Sequence, residues 1–170
     1  MKDNFKQSLA LVLKSEGGFV NNPRDPGGMT NFGVTKVTYD RWTNSDATEE
    51  QMRALTPADV EPLYREWYWD GVRGDDLPAG VDYCVFDFAV NSGIGTAIRM
   101  LQDASGTVPD GKLGPVTMAN IAKANPLTLI DMLQTVRMNY LRKISTWSTF
   151  GKGWTNRVNA VTAAARQMVA

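Results

Sequence analysis

The chain has 170 residues, 43% of them hydrophobic and 21% charged, which is ordinary globular usage and argues against disorder. Eighteen basic residues balance eighteen acidic ones, which removes the electrostatic footprint of a nucleic-acid-binding protein. Histidine is absent and Cys84 is the single cysteine, so zinc sites built on Cys and His, an internal disulfide and a Ser–His–Asp triad are excluded. No stretch approaches the roughly 20 apolar residues of a membrane span. The polar start Met1-Lys-Asp-Asn-Phe-Lys-Gln-Ser8 lacks the apolar run of a signal peptide, so synthesis in the cytoplasm without an export address is expected.

Phe5, Leu9, Val12 and Leu13 lie on one face of a 3.6-residue period and predict a first helix, ended by Gly17-Gly18. From Phe19 to Gly33 the chain is rich in Pro, Gly and Asn, a loop long enough to be functional. The run Phe32-Gly-Val-Thr-Lys-Val-Thr-Tyr39 suits either a short strand or a helix start. Thr48-Glu-Glu-Gln51 has capping-box spacing and opens a short helix, and Thr56-Pro57 opens another. Val60, Leu63, Tyr64, Trp67 and Tyr68 line one face of that second helix, where Pro62 predicts a kink or a later start. After a loop over Gly71–Gly80, Val81, Val85 and Phe88 mark a helix that stops at Asn91-Ser92-Gly93. Ile94, Ile98 and Leu101 mark the next one. Pro109-Asp-Gly111 is a turn, Gly114-Pro115 opens a short helix, and Asn125-Pro126 opens a long one with a stripe from Ile130 to Ile144. A last amphipathic helix is placed after Thr155, on Val158, Val161, Ala165 and Met168. The fold class expected is mainly α, with at most a small β-hairpin.

Glu16 is the leading candidate for chemistry. It continues the apolar face of Phe5, Leu9 and Val12, and it sits at a helix C-terminus, where the dipole disfavours a carboxylate. Burial and dipole both favour the protonated form, which a general acid requires. The competing reading is a terminal Glu bent out to water.

The sequence from Glu16 through Gly-Gly-Phe-Val-Asn-Asn-Pro-Arg-Asp25-Pro-Gly-Gly-Met-Thr30-Asn31-Phe-Gly-Val-Thr35 resembles the signature of the family-108 glycoside hydrolases, muramidases of phage endolysins and bacterial secretion-associated lysozymes. Tyr64-Arg-Glu-Trp-Tyr-Trp69, Asp76-Leu-Pro78 and Phe86-Asp-Phe-Ala-Val-Asn-Ser-Gly93 look like the rest of that catalytic part. Leu101-Gln102 and Asp110-Gly-Lys-Leu-Gly-Pro-Val-Thr117 are similar to the small peptidoglycan-binding module that commonly follows. The resemblance implies a lysozyme-like fold, with a catalytic part over 1–91 and a helical wall-binding part over 92–170 packed as one compact unit. It implies hydrolysis of the β-1,4 bond between N-acetylmuramic acid and N-acetylglucosamine in peptidoglycan, for host cell lysis. That chemistry uses carboxyl groups and needs neither metal nor cofactor. Its expected setting is a monomer that a separate holin-type or export system delivers to the wall. A secretion-associated bacterial muramidase and a non-catalytic wall-binding protein of the same fold are the alternatives. A wall amidase or peptidase fits poorly, because those commonly use His.

On the resemblance, Glu16 is the catalytic acid. Asp25 follows it by nine positions, as in phage lysozymes that use a Glu, Asp and Thr arrangement, and is either a base or electrostatic stabiliser or an organiser of the Pro-Gly turn. Thr30 follows Asp25 by five positions where those enzymes have six. Asn31 and Thr35, in the same block, are expected substrate contacts. Trp67, Tyr68 and Trp69 cannot all face one core, so Trp67 is read as packing while Tyr68 and Trp69 are expected to reach sugar, with a broad packing face as the competing reading. Asn91 shares a helix face with Asp87 and either helps tie the two parts together through buried hydrogen bonds or contacts substrate. Gly27-Gly28 is not a phosphate cradle, since no P-loop Lys-Ser/Thr follows. Cys84, among apolar residues, is read as an inert core thiol.

Overall fold

A computed structural model describes residues 4–21 and 28–169. Among them are nine α-helices and one two-stranded sheet, the mainly α class with a small hairpin expected from the sequence. The chain divides into two compact units, a smaller one of Leu9–Trp67 and a larger one of Met1–Ser8 with Tyr68–Ala170. The expected boundary between 91 and 92 falls inside the larger unit. No helix among the described residues is long and apolar enough to cross a membrane.

Helix α1 spans Asn4–Glu16 and ends where Gly17 takes φ +80°, the left-handed region that glycine enters without steric cost. In the smaller unit the chain then forms β1 (Thr30–Asn31) and β2 (Val34–Thr35), an antiparallel pair with Thr30 opposite Thr35 and Asn31 opposite Val34. Both readings of the 32–39 run are therefore realised, because Thr35 closes β2 and also caps α2 (Lys36–Thr43) by accepting from the Thr38 N–H at 3.2 Å. Helix α3 (Glu49–Ala54) opens with the expected capping box between Thr48 and Gln51. Helix α4 (Pro57–Leu63) starts at the expected proline. Pro62 does not end it abruptly. From Tyr64 to Trp69 the helix instead widens into a π-helix, a rare form often found at functional sites.

In the larger unit a 3₁₀ turn (Gly74–Asp76) precedes α5 (Val81–Ser92), α6 (Ile94–Ala104), α7 (Pro115–Lys123), α8 (Pro126–Arg142) and α9 (Trp147–Met168). Helix α5 is buried from Val81 through Ala89 and packs against α6, α8 and α9. Its Asp87 is fully buried and bridges Arg137 of α8 and Arg157 of α9, each at 2.8 Å. The Arg137 guanidinium also lies 4.7 Å from the Phe88 ring centroid. Gln102 holds the expected 109–111 turn, donating to Asp110 at 2.7 Å and accepting from the Gly111 N–H at 2.8 Å. Burial pushes the Cys84 thiol up to about 12, which suits an inert core position.

Two helix boundaries differ from expectation. The long helix ends at Arg142, short of Ile144. The last helix begins at Trp147, eight residues before Thr155, because Gly151 and Gly153, which read locally as loop, are accommodated inside it.

Candidate functional site in the smaller unit

Glu16 is the last residue of α1, half-buried, and its Oε1 is shielded from solvent. The hairpin turn packs against it. Phe32 and Gly33 form a two-residue loop with φ of 49° and 75°, the doubly left-handed conformation that matches the twist of paired strands. A Cβ on Gly33 would lie 2.8 Å from Glu16 Cγ, 3.0 Å from Glu16 Cβ and 2.7 Å from Tyr64 Oη. Glycine here therefore serves two needs, a left-handed backbone and the close approach of the Glu16 and Tyr64 side chains.

Tyr64 opens the π-helix and is buried, and its hydroxyl donates to the Phe32 carbonyl at 2.8 Å. That bond pins the turn and places the phenol beside Glu16. The far side of the hairpin is held too. The backbone N–H and C=O of Thr30 bond those of Val20, both at 2.8 Å, as an antiparallel bridge. The Lys36 N–H donates to the Met29 carbonyl at 2.7 Å. The stem of the Glu16 side chain thus lies against a two-residue turn fixed by a buried tyrosine.

The other expected site residues take varied roles. Thr30 and Thr35 are cross-strand partners, both half-buried, so their side chains share one face of the hairpin. Thr35 is engaged with Thr38, donating to its hydroxyl at 2.9 Å. Asn31 faces the opposite way and is buried. Its amide donates to the Met52 carbonyl at 2.9 Å, satisfying a buried carbonyl in the last turn of α3, which is a structural use of a residue expected to meet substrate. Asp25 lies outside the described residues.

Tyr68, Trp69 and Asn91 belong to the larger unit. Tyr68 is half-buried. Trp69 corrects the expectation of a sugar platform, because it is fully buried. Its indole donates to Asp75 at 3.0 Å and its ring packs edge-on against Phe5 and Phe86, with centroids 5.4 Å away in each case. The packing reading holds for this ring, and it is Trp67 that keeps partial exposure. Asn91 is exposed and takes no part in the buried tie, which Asp87 makes with the two arginines. Among the described residues no group of His, Cys, Asp and Glu side chains is placed to hold a metal ion.

Sequence reasoning passed over Gly33 and Tyr64. Gly33 between two β-branched runs could have marked a turn, although the bulky Phe32 before it is unusual in the left-handed conformation, and a buried tyrosine hydroxyl demands a partner.

Comparison with known proteins points one way. The family model described as glycosyl hydrolase 108 matches residues 9–93, half of the chain. A solved structure, that of Brucella abortus SagA, is 41% identical with a TM-score of 0.88, over 99% of this chain and 97% of that one. No curated protein matches the sequence.

Proposed function

The chain belongs to the glycosyl hydrolase 108 family, and from that premise we propose that it is an N-acetylmuramidase with Glu16 as its general acid. The bond assigned is the β-1,4 link from N-acetylmuramic acid to N-acetylglucosamine. The observation that carries the reading is the Glu16 side chain at the end of α1, its stem packed against Gly33 beside Tyr64 and one carboxyl oxygen shielded from solvent. A glycosidase needs a carboxylic acid fixed beside the scissile oxygen, and fixing it in advance removes part of the entropic cost of the reaction.

In this mechanism protonated Glu16 donates to the leaving glycosidic oxygen as the C1–O bond breaks. Positive charge develops on the ring carbon, and a second carboxylate stabilises it or activates water. Asp25 is assigned that second role on its spacing from Glu16, with Thr30 and Thr35 presenting hydroxyls from the hairpin. Residues 92–170 are assigned to wall binding. A phage lysis enzyme released by a holin-type protein and a bacterial muramidase passed through an export system would share this chemistry. The similarity to a Brucella abortus protein supports the bacterial setting.

Mass spectrometry of purified wall digested by the protein tests the reading. Glycan fragments ending in reducing N-acetylmuramic acid are the expected product. Released peptides with intact glycan strands would identify an amidase or peptidase, and an unchanged wall would identify a binding protein.

A further inference from the structure

The first two turns of α9 carry a feature that the muramidase chemistry does not use. Trp147, Phe150 and Trp154 fall at i, i+3 and i+7 on one helix face. Their rings adjoin, with centroids 6.1 Å apart for Trp147 and Trp154 and 5.9 Å apart for Phe150 and Trp154. Phe150 is 52% exposed and the two indoles are half-buried, so this ridge reaches water. Three aromatic rings left at a surface need an explanation that a core does not provide.

Beside the ridge the helix is notched. Gly151 is buried, and a Cβ there would lie 2.6 Å from the Trp147 indole, so only glycine lets that ring fold down along the helix. The notch is a shallow, open depression of about 420 Å³, and Ser148, Lys152, Thr155 and Asn156 complete its lining. At about 100° per residue, Ser148, Lys152 and Asn156 stand on the side of the notch away from Phe150 and Trp154. Thr155 donates its hydroxyl proton to the Gly151 carbonyl at 2.7 Å, which leaves its oxygen lone pairs to accept.

The stretch of chain that carries this notch has charge of one sign. After Asp131 the sequence contains six basic side chains and no acidic one. Arg137 and Arg157 are held by Asp87, and Arg166 by Asp131. Arg142, Lys143 and Lys152 are exposed, the first two just before α9 and the third within the notch.

We infer that this face of α9 is a second glycan-binding site, built from other residues than the Glu16 centre, which takes an N-acetylated β-1,4 strand bearing peptide carboxylates. The inference rests on the proposed muramidase reading for the identity of the polymer. An aromatic ridge offers flat surfaces for the apolar C–H face of a pyranose. The polar rim offers donors and acceptors for hydroxyl and N-acetyl groups, and the basic side chains match the carboxylates of the stem peptides. An anionic lipid surface is the competing partner for an aromatic and basic helix. The polar-lined notch favours the sugar, because a helix lying in a membrane interface needs a continuous apolar face.

The test is co-sedimentation of the full chain with purified sacculi, with every protein carrying Glu16→Gln so that no strand is cut during binding. Adding Phe150→Ala and Trp154→Ala is expected to weaken sacculus binding at least tenfold, or about 1.4 kcal/mol. Adding Phe150→Tyr alone keeps the ring and is expected to keep binding. Should Trp154→Ala fail to fold, Phe150→Ala at its exposed position carries the test, with a loss of about threefold expected. Unchanged sacculus binding by a folded variant overturns the proposal. So does binding to phosphatidylglycerol vesicles that falls in the same variants while sacculus binding holds. Glycan release by the unsubstituted protein is measured alongside. Its absence would overturn the muramidase reading, and the sedimentation result would still decide the α9 site.

Discussion

Gly33→Ala probes the geometry around Glu16 most sharply. The backbone at Gly33 has φ +75°, where a Cβ costs about 1–2 kcal/mol. The new methyl would also meet Glu16 Cγ at 2.8 Å and Tyr64 Oη at 2.7 Å. Neither atom is the free end of a flexible chain, since Cγ lies one bond from Glu16 Cβ and Oη caps a rigid ring in a buried site. If the tyrosine yields, its bond to Phe32 is lost, at a further ~0.5–1.5 kcal/mol. The total of about 1.5–3.5 kcal/mol corresponds to a Tm lower by roughly 3–14 °C in a chain of this size. If Glu16 yields, its carboxyl shifts by about an ångström, a displacement that costs on the order of 10²-fold in turnover. Gly106→Ala is the matched control. Gly106 has φ +70° with nothing within 4 Å of an added Cβ, so it loses stability through strain alone and keeps its turnover. Melting curves and initial rates of reducing-sugar release, measured on both variants, separate the effects. A Gly33→Ala protein with full turnover and no more stability loss than Gly106→Ala would refute the placement of Glu16 against the turn.

Four further outcomes are expected. Asp87→Ala leaves Arg137 buried without its carboxylate partner and should cost about 3–5 kcal/mol in urea unfolding. A chain ending at Gly93 removes both arginines and the helices that cover α5, so it should show no cooperative melting by circular dichroism. Burial raises the Asp82 carboxyl above its ordinary value of 3.8, against the opposing hydrogen bond from Asn4. Its stabilisation is thus in place below that ordinary value and lost as pH rises through the folded one, so Asp82→Asn should gain on the wild type at neutral pH relative to acid, read from urea midpoints. Finally, Cys84 at about 12 should resist iodoacetamide in mildly alkaline buffer until the protein unfolds, as mass spectrometry would show.

Much of the fold was legible because it rests on local rules. The capping box at Thr48, the prolines opening α4, α7 and α8, and the glycine after Glu16 each act within a few residues, and each appears where it was read. Glu16 itself was legible as a carboxyl on an apolar face. What the sequence hid is long-range. Gly33 looked like loop punctuation until Glu16, 17 residues away, and Tyr64, 31 residues away, were seen to converge on it. Trp69 looked like a surface ring because three aromatics in a row must point three ways. Which one turns inward depends on the π-helical widening after Pro62, and no local rule specifies that. Asn31 sat inside a functional signature yet serves the end of α3, since a buried amide goes where unpaired carbonyls are. The start of α9 was missed because two glycines outweigh helical periodicity in a short window, although Trp147, Phe150 and Trp154 keep that periodicity through them.

The central claim is that Glu16 supplies the proton that breaks a glycosidic bond. Glu16→Gln keeps the size and hydrogen bonding of the side chain while removing the transferable proton. The direct measurement is the rate at which new reducing ends form from purified sacculi, for wild type and Glu16→Gln with matching melting curves. The account predicts loss of at least about 10²-fold in rate with sacculus binding retained. A folded Glu16→Gln protein that releases reducing ends at close to the wild-type rate would contradict it.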